Sequence, residues 1–223
     1  MEWISFAAAF AVFLLSHSLP LRPAIKRALV ARLGTRGFSL VYSALSLAML
    51  GWLVHAAAGA PRVALWAWAP WQNHVTLTVM AMVCLLLALS LGRPNPFSFG
   101  GALNGTFDPA RPGLVRWVRH PVLLALALWA GGHLLANGEL AHVLLFGVFA
   151  GFALLGMRLV DRRKQREMGA ERWQALRRDM ARAPLIAAPQ SWPGVALRLA
   201  LGVAAYLALI WLHPSLFGVS PLP

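Results

Sequence analysis

Carboxylates are scarce in this chain: seven Asp and Glu stand against 20 Lys and Arg in 223 residues. Acid/base hydrolysis between paired carboxylates therefore has little to draw on. Cysteine is nearly absent. Cys84 alone cannot form an intrachain disulfide, and its place inside an apolar segment reads as a small buried residue. The sequence holds no GxGxxG, Walker A, HExxH, GxSxG or CxxC pattern, so the common nucleotide, zinc-protease, serine-hydrolase and dithiol sites are excluded. No CxxCH marks covalent haem.

Apolar residues fill the space instead. They make up 59% of the chain, charged residues only 12%, and the mean hydropathy is +0.65. Six apolar segments, at 3–19, 38–58, 75–91, 121–136, 140–157 and 195–212, lie near the ~17 to 25 residues that a membrane-spanning helix needs. These features predict an all-α, polytopic transmembrane helix bundle of about six spans in one domain, residues 1–223.

The first segment has no basic region before it and no small-residue cleavage site after it, so it reads as a retained helix with its N-terminus outside. Threading from that start places 20–37, 92–120 and 158–198 on one side of the membrane, with 19 of the 20 Lys and Arg; Arg62 is the exception. Such asymmetry marks that side as cytoplasmic. The +13 net charge then reflects topology and anionic headgroups, not nucleic acid. Trp66, Trp68 and Trp71 cluster in the loop after the second span and read as outer-leaflet anchors. Residues 158–185 alternate bases with Asp161, Glu167, Glu171 and Asp179, while Trp173, Leu176 and Met180 recur at helical spacing, which predicts an amphipathic helix on the cytoplasmic surface.

The chemistry-bearing residues gather in 97–163. There a Gly- and Pro-punctuated loop leads into the corner Arg119-His120-Pro121, a helix taken to start near Leu114, a second histidine at His133 after Gly131-Gly132, and a further apolar helix ending in bases. Asp108 is the one carboxylate among Arg93, Arg111, Arg116 and Arg119, so an ion pair is expected there. Gly147 and Gly151, four apart, read as a helix-packing pair. The ionisable groups inside the spans are nearly all histidine, costly at that depth without a partner or a function, which points to haem or another metal. Along one helix His120 and His133 lie ~20 Å apart at ~1.5 Å per residue. Depth then groups His17 with His120, and His55, His74, His133 and His142 on the other side. Each of these histidines also has a plain reading, as a hydrogen-bonded or interfacial side chain.

At SFGGA (98–102), FDPARPGLVRWVRHP (107–121) and LLGMRLVDRRK (154–164) the chain resembles the NnrU family, multispanning bacterial inner-membrane proteins associated with nitrite and nitric oxide reduction. That family is similar to 15-cis-zeta-carotene isomerase, which uses haem b. The resemblance implies haem b held by His17 and His133 as metal ligands; His120 is the substitute favoured by depth, and Arg119 or Arg116 would pair with the propionates. More distantly, the Arg-His-Pro corner followed by Glu167 and Gly169 to Trp173 is similar to isoprenylcysteine carboxyl methyltransferases. The expectations are thus a haem-binding protein of denitrification, with a polyene isomerase, an S-adenosylmethionine-dependent methyltransferase and a non-catalytic assembly factor as alternatives. Its partners would be the lipid bilayer and a membrane or respiratory protein.

Overall fold

The computed structural model describes every residue except Met1 and Gly101. The described residues form seven α-helices: α1 (Glu2–Ser18), α2 (Pro23–Ala58), α3 (Pro70–Ser90), α4 (Pro121–Ala136), α5 (Leu140–Met168), α6 (Ala170–Arg182) and α7 (Trp192–Phe217). Among them no strand is present. The chain is an all-α transmembrane bundle. Five helices, α1, α2, α3, α5 and α7, are long and apolar enough to cross a membrane. The expected sixth span, α4, has 16 residues, about 24 Å at ~1.5 Å per residue, a few ångströms short of the ~30 Å hydrocarbon core.

Two compact units are present. The first is Met1–Ala67 with Gly138–Leu145. In it α1 packs along α2, and the Tyr42 hydroxyl donates to the His17 carbonyl at 2.9 Å. The basic stretch after α1, expected to be a loop, is largely helical. Pro23 opens α2, and the helix bends at Gly34, whose φ of 71° and ψ of 167° break the helical path; glycine reaches that conformation without the Cβ clash other residues meet. The segment after α2 pairs with the start of α5 through Leu65 N–H to the Gly138 carbonyl and Leu140 N–H to the Val63 carbonyl, both 2.8 Å.

The second unit is Trp68–Asn137 with Phe146–Pro223. Here α3 packs against both α4 and α7. Gly202 allows the approach of α7: a Cβ there would lie 3.1 Å from the Ala88 Cβ and 3.3 Å from the Cys84 carbonyl. Cys84 is buried at that contact. The pair expected to pack helices, Gly147 and Gly151, does little of it, since a Cβ at Gly151 would meet nothing and one at Gly147 only Leu134 at ordinary distance. Gly156 carries the contact instead, against Leu123.

The amphipathic helix is present as α6, set off from α5 by Gly169 with φ of 83°. Its apolar stripe does not face outward. Trp173 and Met180 are buried against Phe97 and Val115, with Phe107, Met168 and Leu176 packed around them. Phe97 meets the Trp173 ring edge-on at 5.1 Å. The polar loop before α4 is thereby clamped onto α6, and Arg116 Nη2 and Trp117 Nε1 add bonds to the carbonyls of Ala181 and Leu185.

Candidate functional site

Helix α4 begins at Pro121, not near Leu114; residues Gly113–Arg116 form only a 3-10 turn. The cause is local. A residue before proline is pushed out of the α region, and His120 has φ of −119° and ψ of 67°. Proline then serves as the first helical residue, where its missing N–H costs nothing.

His120 is held at both ring nitrogens. Nε2 lies 2.9 Å from Asp161 Oδ1 and Nδ1 lies 3.0 Å from Ser98 Oγ. A carboxylate only accepts, so Nε2 carries the proton and Nδ1 accepts from the serine hydroxyl. Arg119 grips the same carboxylate, Nη2 to Oδ2 at 2.7 Å and Nε to Oδ1 at 3.4 Å. Asn95 closes the ring of contacts, donating to the Arg119 carbonyl at 2.9 Å while its own Oδ1 accepts from Phe97 N–H. Burial holds the His120 imidazole below its ordinary value of 6.5, and the Asp161 carboxylate pulls the other way. The ring is neutral at neutral pH.

Ser98, His120 and Asp161 have the residue types of a nucleophilic triad, yet Ser98 is only 2% exposed and His120 4%. No acyl group can reach the hydroxyl. The cluster ties the loop and the start of α4 to the end of α5. Asp108, the expected partner of the loop arginines, instead caps its own turn by accepting from Ala110 N–H at 2.9 Å. Asp161 takes the ion pair.

At the other end of α4 the geometry changes. His133 Nδ1 lies 2.8 Å from the Trp129 carbonyl. That oxygen only accepts, so Nδ1 is protonated and Nε2 keeps its lone pair. Nε2 has no hydrogen-bond partner among the described residues. The ring sits 5.4 Å from Trp129 and 5.2 Å from Phe146. Thr76 Oγ1 donates to the Gly132 carbonyl at 2.8 Å and fixes this end of α4 on α3.

In the first unit His17 stacks on Phe13, centroids 5.4 Å apart at 13°, with Tyr42 at 5.4 Å. Its Nδ1 is 3.3 Å from Ser46 Oγ. Its Nε2 likewise has no hydrogen-bond partner among the described residues. His133 thus fits an axial role toward haem iron, which needs an imidazole lone pair with the other ring nitrogen oriented by a hydrogen bond; at His17 the Ser46 hydroxyl can donate or accept, so that contact does not fix the tautomer. At His120 an iron would have to displace Ser98 or Asp161. Arg119 has committed two nitrogens to Asp161, which leaves it poorly placed for a propionate. Among the described residues no group of three or more His, Cys, Asp or Glu could hold a bare metal ion.

Sequence reasoning missed Ser98 and Asp161 as partners of His120. No local signal singled out Asp161, which lies in a run of alternating charges with Glu167 and Glu171.

The family model for NnrU protein matches residues 5–221. No curated protein and no solved structure matches the chain. The chain belongs to the NnrU family.

Proposed function

We propose that this NnrU-family protein carries haem b in the bacterial inner membrane and serves nitrite and nitric oxide reduction, with His133 as an axial ligand; His17, in the first unit, is a separate candidate. The observation that carries the reading is the half-satisfied imidazole of His133: Nδ1 is tied to the Trp129 carbonyl, Nε2 has no hydrogen-bond partner among the described residues, and the ring lies against Trp129 and Phe146. A backbone carbonyl on the far nitrogen fixes the tautomer and raises ligand basicity, as in established metal sites. Bound haem would supply a redox-active iron. The chain's own part is to orient the His133 imidazole through the Trp129 carbonyl and to shield it with the Trp129 and Phe146 rings. The link to nitrite and nitric oxide is supported by family membership.

Absorption spectra of the detergent-purified protein, oxidised and dithionite-reduced, test the chemistry. A Soret band lost in His133→Ala but kept in His120→Gln is the expected result. A colourless protein that also fails to shift the spectrum of added haemin would end the haem reading. The process is tested by deleting the gene and following nitric oxide accumulation on nitrite; rescue by His133→Ala as complete as by wild type would separate the process from the haem site.

A further inference from the structure

Helix α6 has spent its apolar stripe inward on Phe97 and Val115, which leaves a basic outer face. Beside it opens a cleft of about 400 Å³ whose wall includes Phe107, Met168 and Leu176 and whose polar lining includes Lys164, Glu167 and Arg172. That volume lies at the small end of the ~300 to 1,000 Å³ range of ligand sites. Glu167 adds no free negative charge: Arg163 Nε meets its Oε1 at 2.7 Å and Lys164 Nζ its Oε2 at 2.9 Å. Arg172 has no ion-pair partner among the described residues. The cleft is therefore cationic over an apolar wall.

Its place along the chain restricts what it meets. It lies where the apolar run of α5 gives way to Arg158, Arg162, Arg163, Lys164 and Arg166, the depth at which a spanning helix passes lipid headgroups. Exposed Leu185, Ile186 and Trp192 follow α6 and suit the same boundary. An occupant must carry an anion for Lys164 and Arg172 and an apolar part for Phe107, Met168 and Leu176. Basic pockets at the ends of spans bind phospholipid headgroups in this way, and a phosphate oxygen accepts charge-assisted bonds from both kinds of cation.

We propose that the cleft between the end of α5, α6 and the loop before α4 is a specific site for one anionic phospholipid headgroup. The site is independent of any haem.

The full-length protein in neutral detergent, doped with dioleoylphosphatidylglycerol or dioleoylphosphatidylcholine, tests it by native mass spectrometry and thermal unfolding. The glycerol lipid should be retained at about one per chain, at about one cleft per chain, and raise the unfolding midpoint, while the choline lipid does neither. Lys164→Gln and Arg172→Gln should each weaken retention by about fivefold, the value of one headgroup cation. Arg36→Gln, an equal charge loss on α2, should leave retention unchanged. Arg172 is exposed, and unaltered midpoints without lipid would show the variants folded; Arg172→Gln, which breaks no ion pair, serves if Lys164→Gln is unstable. Equal retention of the two lipids, or equal losses in Arg36→Gln, would overturn the proposal. So would displacement of the lipid by millimolar inorganic phosphate, which would assign the cleft to a soluble phosphate compound.

Discussion

The two ends of α4 carry histidines in opposite states. His120 has both nitrogens satisfied, one by Ser98 and one by Asp161, and is almost wholly buried. His133 has one nitrogen tied to the helix's own backbone and one left over. A saturated buried polar cluster rigidifies a fold; an imidazole held at one nitrogen keeps the other nitrogen's lone pair uncommitted. The same residue type, 13 positions along one chain, thus serves architecture at one end and, on the reading above, chemistry at the other.

The sharpest way to break this contrast is Asp161→Ala. It strips the partner from Arg119 and His120 at once and leaves a guanidinium without its counter-charge. Removing one member of a fully buried pair costs about 3 to 5 kcal/mol; with the Arg119 and Asp161 side chains 35% and 26% exposed, solvent screening reduces this, and we expect about 2 kcal/mol. The thermal midpoint in detergent measures it. A wild-type midpoint would show that the cluster does not hold the loop to α5.

His133→Ala should behave in the opposite sense. It removes one hydrogen bond and part of the packing on Trp129 and Phe146, so the loss should be about 1 kcal/mol, under that of Asp161→Ala, while the Soret band disappears. Were His133→Ala the more destabilising of the two, the division between architecture and chemistry would be reversed.

The sequence made the helices legible because a span needs little beyond length and apolarity, and α1, α3, α5 and α7 follow their apolar runs. The Arg119-His120-Pro121 corner was legible as a feature but not as a break, since the helix was expected to run through it from near Leu114 and instead starts at Pro121. The partner of that corner was not legible. Asp161 is 41 residues away among alternating charges, where nothing local separates it from Glu167 or Glu171, and Asp108 was nearer at hand. Ser98 is a serine among glycines. Its role exists only because Asn95, Phe97 and Arg119 fold the loop back on α4. The stripe of α6 was legible as amphipathic, but periodicity does not say what covers an apolar face, and here Phe97 and Val115 compete successfully with the bilayer.

Within the saturated cluster, Ser98→Ala should cost about 1 kcal/mol, since it removes the hydroxyl that His120 Nδ1 accepts from and leaves that nitrogen buried and unpaired. Threonine keeps a hydroxyl where alanine has none, so Ser98→Thr, if its methyl is accommodated, should recover part of the loss. An unaltered midpoint in Ser98→Ala would mean that Nδ1 is satisfied by water.

The smallest effect is the pH response of the same imidazole, because its causes oppose each other. Burial, the larger, lowers the His120 value from 6.5, and Asp161 raises it. With the folded value below the unfolded one, the unfolded chain binds more protons in the window beneath pH 6.5. His120 therefore contributes stability that is fully present above pH 6.5 and is lost as the pH falls through the folded value. Midpoints measured from pH 7.5 down to 5.5 should decline more in the wild type than in His120→Gln, which cannot take up that proton. If the wild type instead gained stability toward pH 5.5 relative to His120→Gln, the pull of Asp161 would exceed the cost of burial, and the cluster would be an imidazolium–carboxylate pair in place of a neutral relay of hydrogen bonds.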